Sequence, residues 1–234
     1  AARLEKSLTM DIDGRAVSLR LARSRRARRL ILRIDPHLGG ATVTLPSWAG
    51  WAEAADLAVR ETDWIRARLA VAPQRVPFID GGTLPYLDDV LTIRHLADRG
   101  PPVLREGAVI NVRGDATHLP RRLTDWLRGR ARAEIEARAR TKAEQLDKDI
   151  ASITIRDTRT RWGSCSVRGG LSFSWRLVMA PEAVLDYVVA HEVAHLRHHD
   201  HSQAFWQTAA TLTADMDAPR DWLRRHGPAL HLYG

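Results

Sequence analysis

The sequence has 234 residues, 44% of them hydrophobic and 27% charged, which is ordinary for a globular protein with one large or two small domains. No apolar run approaches the ~18 residues that a membrane span requires, and the single cysteine, Cys165, excludes an internal disulfide framework. The opening residues, AARLEKSLTMDIDGR, contain no apolar segment typical of a secretory signal. We therefore expect a cytoplasmic protein with no membrane partner.

The charge of the chain is strongly basic. With 36 lysine and arginine residues against 28 acidic ones, the formal net charge is +8, which is compatible with a nucleic-acid partner. All but three of the basic residues are arginine, and the chain is also rich in alanine, a combination that favours the codon bias of a GC-rich genome. The charge therefore supports a nucleic-acid partner only weakly.

The first third of the chain has the pattern of strands followed by a helix. Alternating and β-branched residues predict strands over 17–21, 29–34 and 41–46. The arginine-rich segment 24–29 lies between two of these strands, so a solvated hairpin is favoured over a nucleic-acid patch. Ser47 is predicted to cap one helix that continues to residue 70.

The middle of the chain predicts a domain boundary. Two strands are expected over 85–96 and 108–114, with a turn at Gly100-Pro101-Pro102 between them. After residue 117 the pattern changes from strands to a long helix. We therefore predict an α+β protein with a β-rich N-terminal domain over 1–117, containing one long helix, and a second domain over 118–234.

The second domain alternates between helical and strand patterns. A helix is predicted over 119–148, and Pro181 occupies the first turn of another helix. The remaining predicted elements are strands over 151–157, 160–166 and 171–180, a helix over 202–214, and a short helix that ends at Gly227-Pro228.

The segment HEVAHLRHHDH, residues 191–201, holds five of the ten histidines. His191 and His195 are four residues apart, so on a helix they face the same side and can reach one metal ion. Glu192 lies beside them, where its carboxylate can reach a water on that ion. This is the H-E-x-x-H arrangement of zinc hydrolases.

A catalytic zinc usually takes three protein ligands, so one more is needed. His201 can supply it if the chain turns after His195, and the good helix caps Asp200 and Ser202 predict such a turn. No glutamate follows Glu192 in the sequence, so a downstream glutamate cannot be the third ligand. The alternatives left open are Asp215, His198 and His199.

Four segments carry a resemblance to a known family: RWGSCS (161–166), SWRL (174–177), DYVVAHEVAHL (186–196) and HSQAFW (201–206). Together they resemble the YgjP-like metallopeptidase family, whose core is similar to those of SprT-like and minigluzincin peptidases. The resemblance implies a zincin-like domain with a small antiparallel sheet packed on the active-site helix. It also implies one zinc ion held by His191, His195 and His201, with Glu192 as the catalytic base.

These observations predict a zinc metallohydrolase, with a metallopeptidase acting on peptides or proteins as the first hypothesis. Other divalent metals remain open, and Arg161 is a candidate substrate-binding residue. A second hypothesis is a metal-dependent nucleotide pyrophosphatase, since a metal-activated water beside several arginines can attack a phosphoric anhydride. A third is a nucleic-acid-associated module or protease that uses the basic surface.

Overall fold

The structure is a computed structural model that describes residues 5–35 and 39–234. Over these residues the chain forms eleven strands in three sheets and six α-helices, which confirms the α+β class. It divides into two compact units, Ala1–Val76 and Pro77–Gly234. Within the described ranges, none of the helices combines the length and apolar character needed to cross a membrane.

The first unit is a four-stranded mixed sheet with two helices. Its elements are β1 (Glu5–Ile12), β2 (Arg15–Arg23), β3 (Ile31–Asp35), β4 (Gly40–Leu45), α1 (Trp51–Arg60) and α2 (Thr62–Val71). The strand order is β1-β2-β4-β3, and only β2 and β4 run parallel. Alternation along β2 buries Val17, Leu19 and Leu21 in the core. Strand β1 was not predicted, although it is joined to β2 by the tight turn Asp13-Gly14 that such a pair typically uses.

The single helix predicted from Ser47 to residue 70 is wrong in two respects. The helical region begins at Trp51, after Gly50, whose backbone is extended (φ −78°, ψ 154°). The Arg23 guanidinium donates to the carbonyls of Ser47 (2.5 Å) and Ala49 (3.0 Å) and so stabilises this non-helical segment. The helix also breaks after Arg60, where the Thr62 hydroxyl donates to the carbonyl of Val59 at 2.6 Å.

The second unit begins with another four-stranded sheet. It contains β5 (Thr83–Tyr86), β6 (Asp89–Leu96), β7 (Val103–Glu106) and β8 (Val109–Arg113) in the order β5-β6-β8-β7. The strand predicted over 85–96 is a hairpin instead, because the chain turns at Leu87, which has a positive φ of 51°. Helix α3 (Leu119–Gln145) follows and buries Leu123, Leu127, Ala131 and Ile135 at every fourth position.

The boundary between the compact units differs from the predicted boundary at 117/118. Residues of the β5–β8 sheet, including Leu84, Ile93 and Ile110, share one buried cluster with Leu127 of α3 and with the helices that follow. Residues 77–117 therefore belong to the same compact unit as the C-terminal part. The sequence could not reveal this, since a strand pattern shows which face is apolar but not which helix covers it.

The third sheet lies close to the candidate site. It consists of β9 (Ser152–Arg156), β10 (Gly163–Cys165) and β11 (Gly170–Ser174), in the order β10-β11-β9. The expected antiparallel sheet is in fact mixed: β10 and β11 form an antiparallel hairpin, whereas β9 and β11 run parallel. Strand β9 lies on the far side of β11, so the hairpin turn does not set its direction.

Three helices complete the second unit: α4 (Glu182–Ala194), α5 (Gln203–Leu212) and α6 (Asp217–Leu230). The strand predicted over 171–180 ends at Ser174, whose hydroxyl accepts the N–H of Arg176 and starts a 3₁₀ turn that continues to Met179. The last helix does not end at Gly227-Pro228, as predicted, but continues to Leu230.

Candidate metal centre

Helix α4 carries the histidine motif through the middle of the second unit. It is buried on nearly all sides, and its buried residues include Val188, Val189, Ala190, Val193 and Ala194. A helix packed on every face has little freedom to shift or rotate. The histidines of its last turn are therefore held on a rigid support, as a site of defined geometry requires.

The chain reverses direction directly after α4. The N–H groups of Arg197 and His198 both donate to the carbonyl of Ala194, which closes the helix. Helix α5 then starts with Ser202, whose hydroxyl accepts the N–H of Phe205 at 3.4 Å. This helix end and fresh start agree with the turn predicted from the sequence, and they bring His201 back towards the end of α4.

The structure brings His191, His195 and His201 together. One ring nitrogen from each lies within 4.8 Å of the others, and the Nε2 atoms of His191 and His201 are 3.1 Å apart. Tetrahedral zinc with Zn–N bonds of ~2.0–2.1 Å places two ligand nitrogens about 3.3–3.4 Å apart. Three imidazoles converging at this spacing therefore fit a zinc ion or a similar divalent metal.

Hydrogen bonding and burial favour the neutral form of two of the rings. The Nδ1–H of His195 donates to the carbonyl of His198 at 2.9 Å, which leaves Nε2 of His195 free to be a ligand. Burial, with the nearby His195 and His201 charges, lowers the pKa of His191 to about 4. Burial also lowers the pKa of His195. Both rings therefore favour the neutral form, which is the form that binds metals.

Two aromatic side chains of α5, Phe205 and Trp206, pack against the rings of the histidines. Phe205 is fully buried and stacks on the His195 ring, with the centroids 4.4 Å apart, and meets His191 edge-on at 4.9 Å. Trp206 lies 5.6 Å from the His201 ring and 5.8 Å from His191. These contacts restrict the orientations that the three imidazoles can adopt.

Glu192 is buried, with 7% of its surface exposed, and lies beside β10. Burial raises the pKa of its carboxyl group to about 7, and the positive charge of Arg161 opposes that rise. A Cβ atom added at Gly163 would lie only 2.5 Å from Cγ of Glu192, so the glycine provides the space that the carboxylate occupies. The sequence analysis missed Gly163, although it lies in the RWGSCS segment quoted above.

The other sequence-predicted residues lie outside the histidine cluster. Asp215 accepts the N–H of Asp217 at 2.9 Å and caps the start of α6, so it does not join the three histidines. His198 contributes its backbone carbonyl, as described above, and His199 is exposed. Arg161 is exposed and lies two residues before β10, near enough to Glu192 to affect its pKa.

Strand β10 forms an edge of the third sheet beside Glu192. The N–H of Ser174 donates to the carbonyl of Trp162, and the N–H of Ser166 donates to the carbonyl of Gly170. In an antiparallel ladder, backbone groups point alternately towards and away from the partner strand. The N–H and C=O groups of Gly163 and Cys165 therefore point away from β11, at the free edge.

Comparisons with known proteins identify the family of the chain. A family model described as the YgjP-like metallopeptidase domain matches residues 28–226. Among solved structures, the metallopeptidase zymogen abylysin of Pyrococcus abyssi shares 20% sequence identity. The match covers 40% of this chain and 92% of that chain, with a TM-score of 0.35. A search of curated proteins found no match.

Proposed function

The chain belongs to the YgjP-like metallopeptidase family, and we propose that it is a zinc-dependent metallopeptidase with one zinc ion per chain. The ligands in this proposal are His191, His195 and His201. The observation that carries it is the convergence of one nitrogen from each ring within 4.8 Å, with the buried carboxylate of Glu192 next in sequence to His191 on the same helix. When bound, a divalent ion supplies Lewis-acid activation of water and of the substrate carbonyl.

Glu192 is the proposed general base. It directly follows His191 in α4 and is buried, and its carboxylate is not one of the converging groups, which supports a role as proton acceptor and not as ligand. In peptide hydrolysis it takes a proton from the attacking water and then donates that proton to the nitrogen of the leaving amine. Gly163 keeps the space around the carboxylate open, and Arg161 favours the ionised form of Glu192 that can accept the proton.

The free edge of β10 supports a peptide substrate. An extended peptide can pair with the outward backbone groups of Gly163 and Cys165, which adds one strand to the sheet. Gly163 is also the residue in contact with Glu192, so a peptide bound there passes beside the general base. Family membership gives no support to a nucleotide or nucleic-acid substrate.

Cys165 is not needed as a nucleophile in this proposal. Burial, helped by the nearby charge of Glu192, raises the pKa of its thiol to about 11. The thiol therefore stays protonated at neutral pH and is a poor nucleophile.

The test is the variant Glu192→Gln, which preserves size but cannot accept a proton at neutral pH. Protein loaded with zinc should release new amino termini from an unfolded protein such as casein, and the variant should lose about 10²- to 10⁴-fold in rate. Its zinc content and melting temperature should match the wild type. A variant that hydrolyses at the wild-type rate would remove Glu192 as the base, and zinc-loaded wild type without peptide hydrolysis would overturn the proposed function.

A further inference from the structure

A polar groove lies on the open face of the third sheet, opposite the face that packs on the core. Its volume is about 490 Å³. Leu171 and Phe173 of β11 point into the core, so their neighbour Ser172 points to the other face. Strand register places Ser164, Ser172 and Thr154 side by side across the three strands, and all three line the groove. The floor is thus a row of hydroxyl groups.

Two arginines also line the groove, and neither forms an ion pair with an acidic group of the described residues. They are Arg156, at the end of β9, and Arg161, just before β10. The nearest acid in sequence, Asp157, is instead bound by Arg176, with Nε 2.8 Å from Oδ1. The groove therefore presents two guanidinium groups whose charge is not neutralised within it, a combination suited to an anion.

The segment that carries Arg161 is held in place by its own contacts. The Thr158 hydroxyl donates to the carbonyl of Arg161 at 2.8 Å, and Asp157 is bound to the nearly buried Arg176. Gly170 lies at the floor, where an added Cβ would approach the hydroxyl oxygens of Ser166 and Ser152 to 3.0 and 3.2 Å. The groove is thus kept open by a glycine at its floor.

The edge of β10 connects this groove with the proposed catalytic site. Side chains directly opposite each other on paired strands point to the same face of a sheet. In a peptide paired with Gly163 and Cys165, the residue opposite Ser164 therefore points into the groove. Its two neighbours point to the face that holds Glu192.

We propose that this groove is a specificity subsite that takes the acidic side chain, Asp or Glu, of one substrate residue, through Arg156, Arg161 and the hydroxyl row. The inference rests on the proposed peptidase function. An acidic side chain is favoured over a free phosphate because the groove adjoins a strand edge, whose alternating donors and acceptors match a peptide backbone. The subsite selects the side chain of one substrate residue and does not select its two neighbours, since adjacent side chains of an extended peptide point to opposite faces.

The first arm of the test digests a mixed peptide library with the zinc-loaded full chain and identifies the cleaved bonds by mass spectrometry. Asp and Glu should be enriched at one position near the cleaved bond and not at its two neighbours. Arg156→Gln and Arg161→Gln should each reduce kcat/KM for the acidic peptide by about threefold to tenfold. Arg156→Gln should leave cleavage of the matched Gln peptide nearly unchanged. Arg161→Gln also removes a positive charge near Glu192, so its readout is the ratio of kcat/KM for the acidic peptide to that for the Gln peptide, which should fall by the same factor.

A charge-reversed variant and a control variant separate a change of preference from general damage to the fold. Arg161→Glu should shift the preference at that position towards Lys or Arg, a result that simple damage to the fold does not produce. Arg224→Gln, which removes an exposed arginine of α6 outside the groove, should retain the acidic preference. Cleavage without acidic enrichment, or enrichment that survives both Gln variants, overturns the subsite and leaves the peptidase proposal standing.

The second arm measures binding without turnover. The zinc-loaded Glu192→Gln variant is titrated with two fluorescent peptides that are identical except for Glu or Gln at one position. Fluorescence anisotropy should show tighter binding of the Glu peptide, and added salt should weaken that binding. Acidic preference in binding with no cleavage by the wild type supports the subsite and refutes the peptidase function. Arginine-dependent binding of a nucleoside triphosphate, without discrimination between the peptides, makes the groove a phosphate site and overturns the inference.

Discussion

The contact between Gly163 and Glu192 provides a direct test of the site geometry. In Gly163→Ala the new methyl group would lie 2.5 Å from Cγ and 2.6 Å from Oε1 of Glu192. Ordinary carbon contacts are about 3.5–4.0 Å, so the two groups must separate by about 1 Å. The Glu192 side chain ends in a flexible carboxylate, whereas Gly163 lies within β10, next to Trp162, whose carbonyl accepts the N–H of Ser174. We therefore expect the carboxylate to move.

The expected cost is much larger for catalysis than for folding. A misplacement of about 1 Å at a catalytic group can cost about 10²-fold in rate, and we expect a loss of that size in kcat. Overpacking typically lowers the free energy of unfolding by about 1–3 kcal/mol, and the lower end applies because a side-chain terminus can shift. The zinc content should be unchanged, since the three atoms nearest to the added Cβ all belong to Glu192 and not to a histidine.

The assay compares initial rates of peptide hydrolysis, zinc stoichiometry and urea denaturation for wild type, Gly163→Ala and Gly129→Ala. Gly129 is an exposed glycine within α3, and a Cβ added there meets nothing within 4 Å. That control should be as active as the wild type and slightly more stable, since alanine favours a helix. Gly163→Ala with wild-type activity and stability would refute the close contact, and loss of zinc would show that the clash reaches the histidines.

Two further predictions concern the third ligand and the support of α4. His201→Ala should lose zinc on dialysis against a chelator, whereas Asp215→Ala should retain it because Asp215 caps α6; the opposite result would make Asp215 the ligand. Lys142→Met should lower the free energy of unfolding in urea by about 2–4 kcal/mol. It removes a nearly buried ammonium group 2.8 Å from Asp186 and leaves that carboxylate with the Thr213 hydroxyl but without a cation, so an unchanged urea midpoint would contradict the ion pair.

Much of the candidate site follows from local sequence rules. The four-residue spacing of His191 and His195 puts both on one side of any helix, and that helix is predicted by its apolar residues. The return of His201 is also a local matter, because Ser202 is a strong helix cap. Each of these expectations depends on interactions between residues close in sequence.

The expectations that failed depend on residues distant in sequence. The non-helical segment before α1 is stabilised by Arg23, which lies in β2, more than twenty residues earlier, and donates to the carbonyls of Ser47 and Ala49. The direction of β9 relative to β11 depends on a crossover that no turn motif specifies. The domain boundary after residue 117 stays a prediction: it was placed where composition changes, whereas the compact units divide between Val76 and Pro77 according to which apolar faces share a core.

The pairing of His191 with His195, the apolar helix that carries them and the helix cap beside His201 could be predicted from the order of residues, because helix periodicity and capping act within a few positions. The order of residues left the third member of the cluster open among His201, Asp215, His198 and His199. Three other features could not be predicted in this way: the space that Gly163 leaves for Glu192, the free edge of β10, and the hydroxyl row beside Arg156. These features arise where strands and helices from separate parts of the chain meet. Burial, side-chain packing and strand register determine how these elements pack together, and none of the three can be read from a short stretch of sequence.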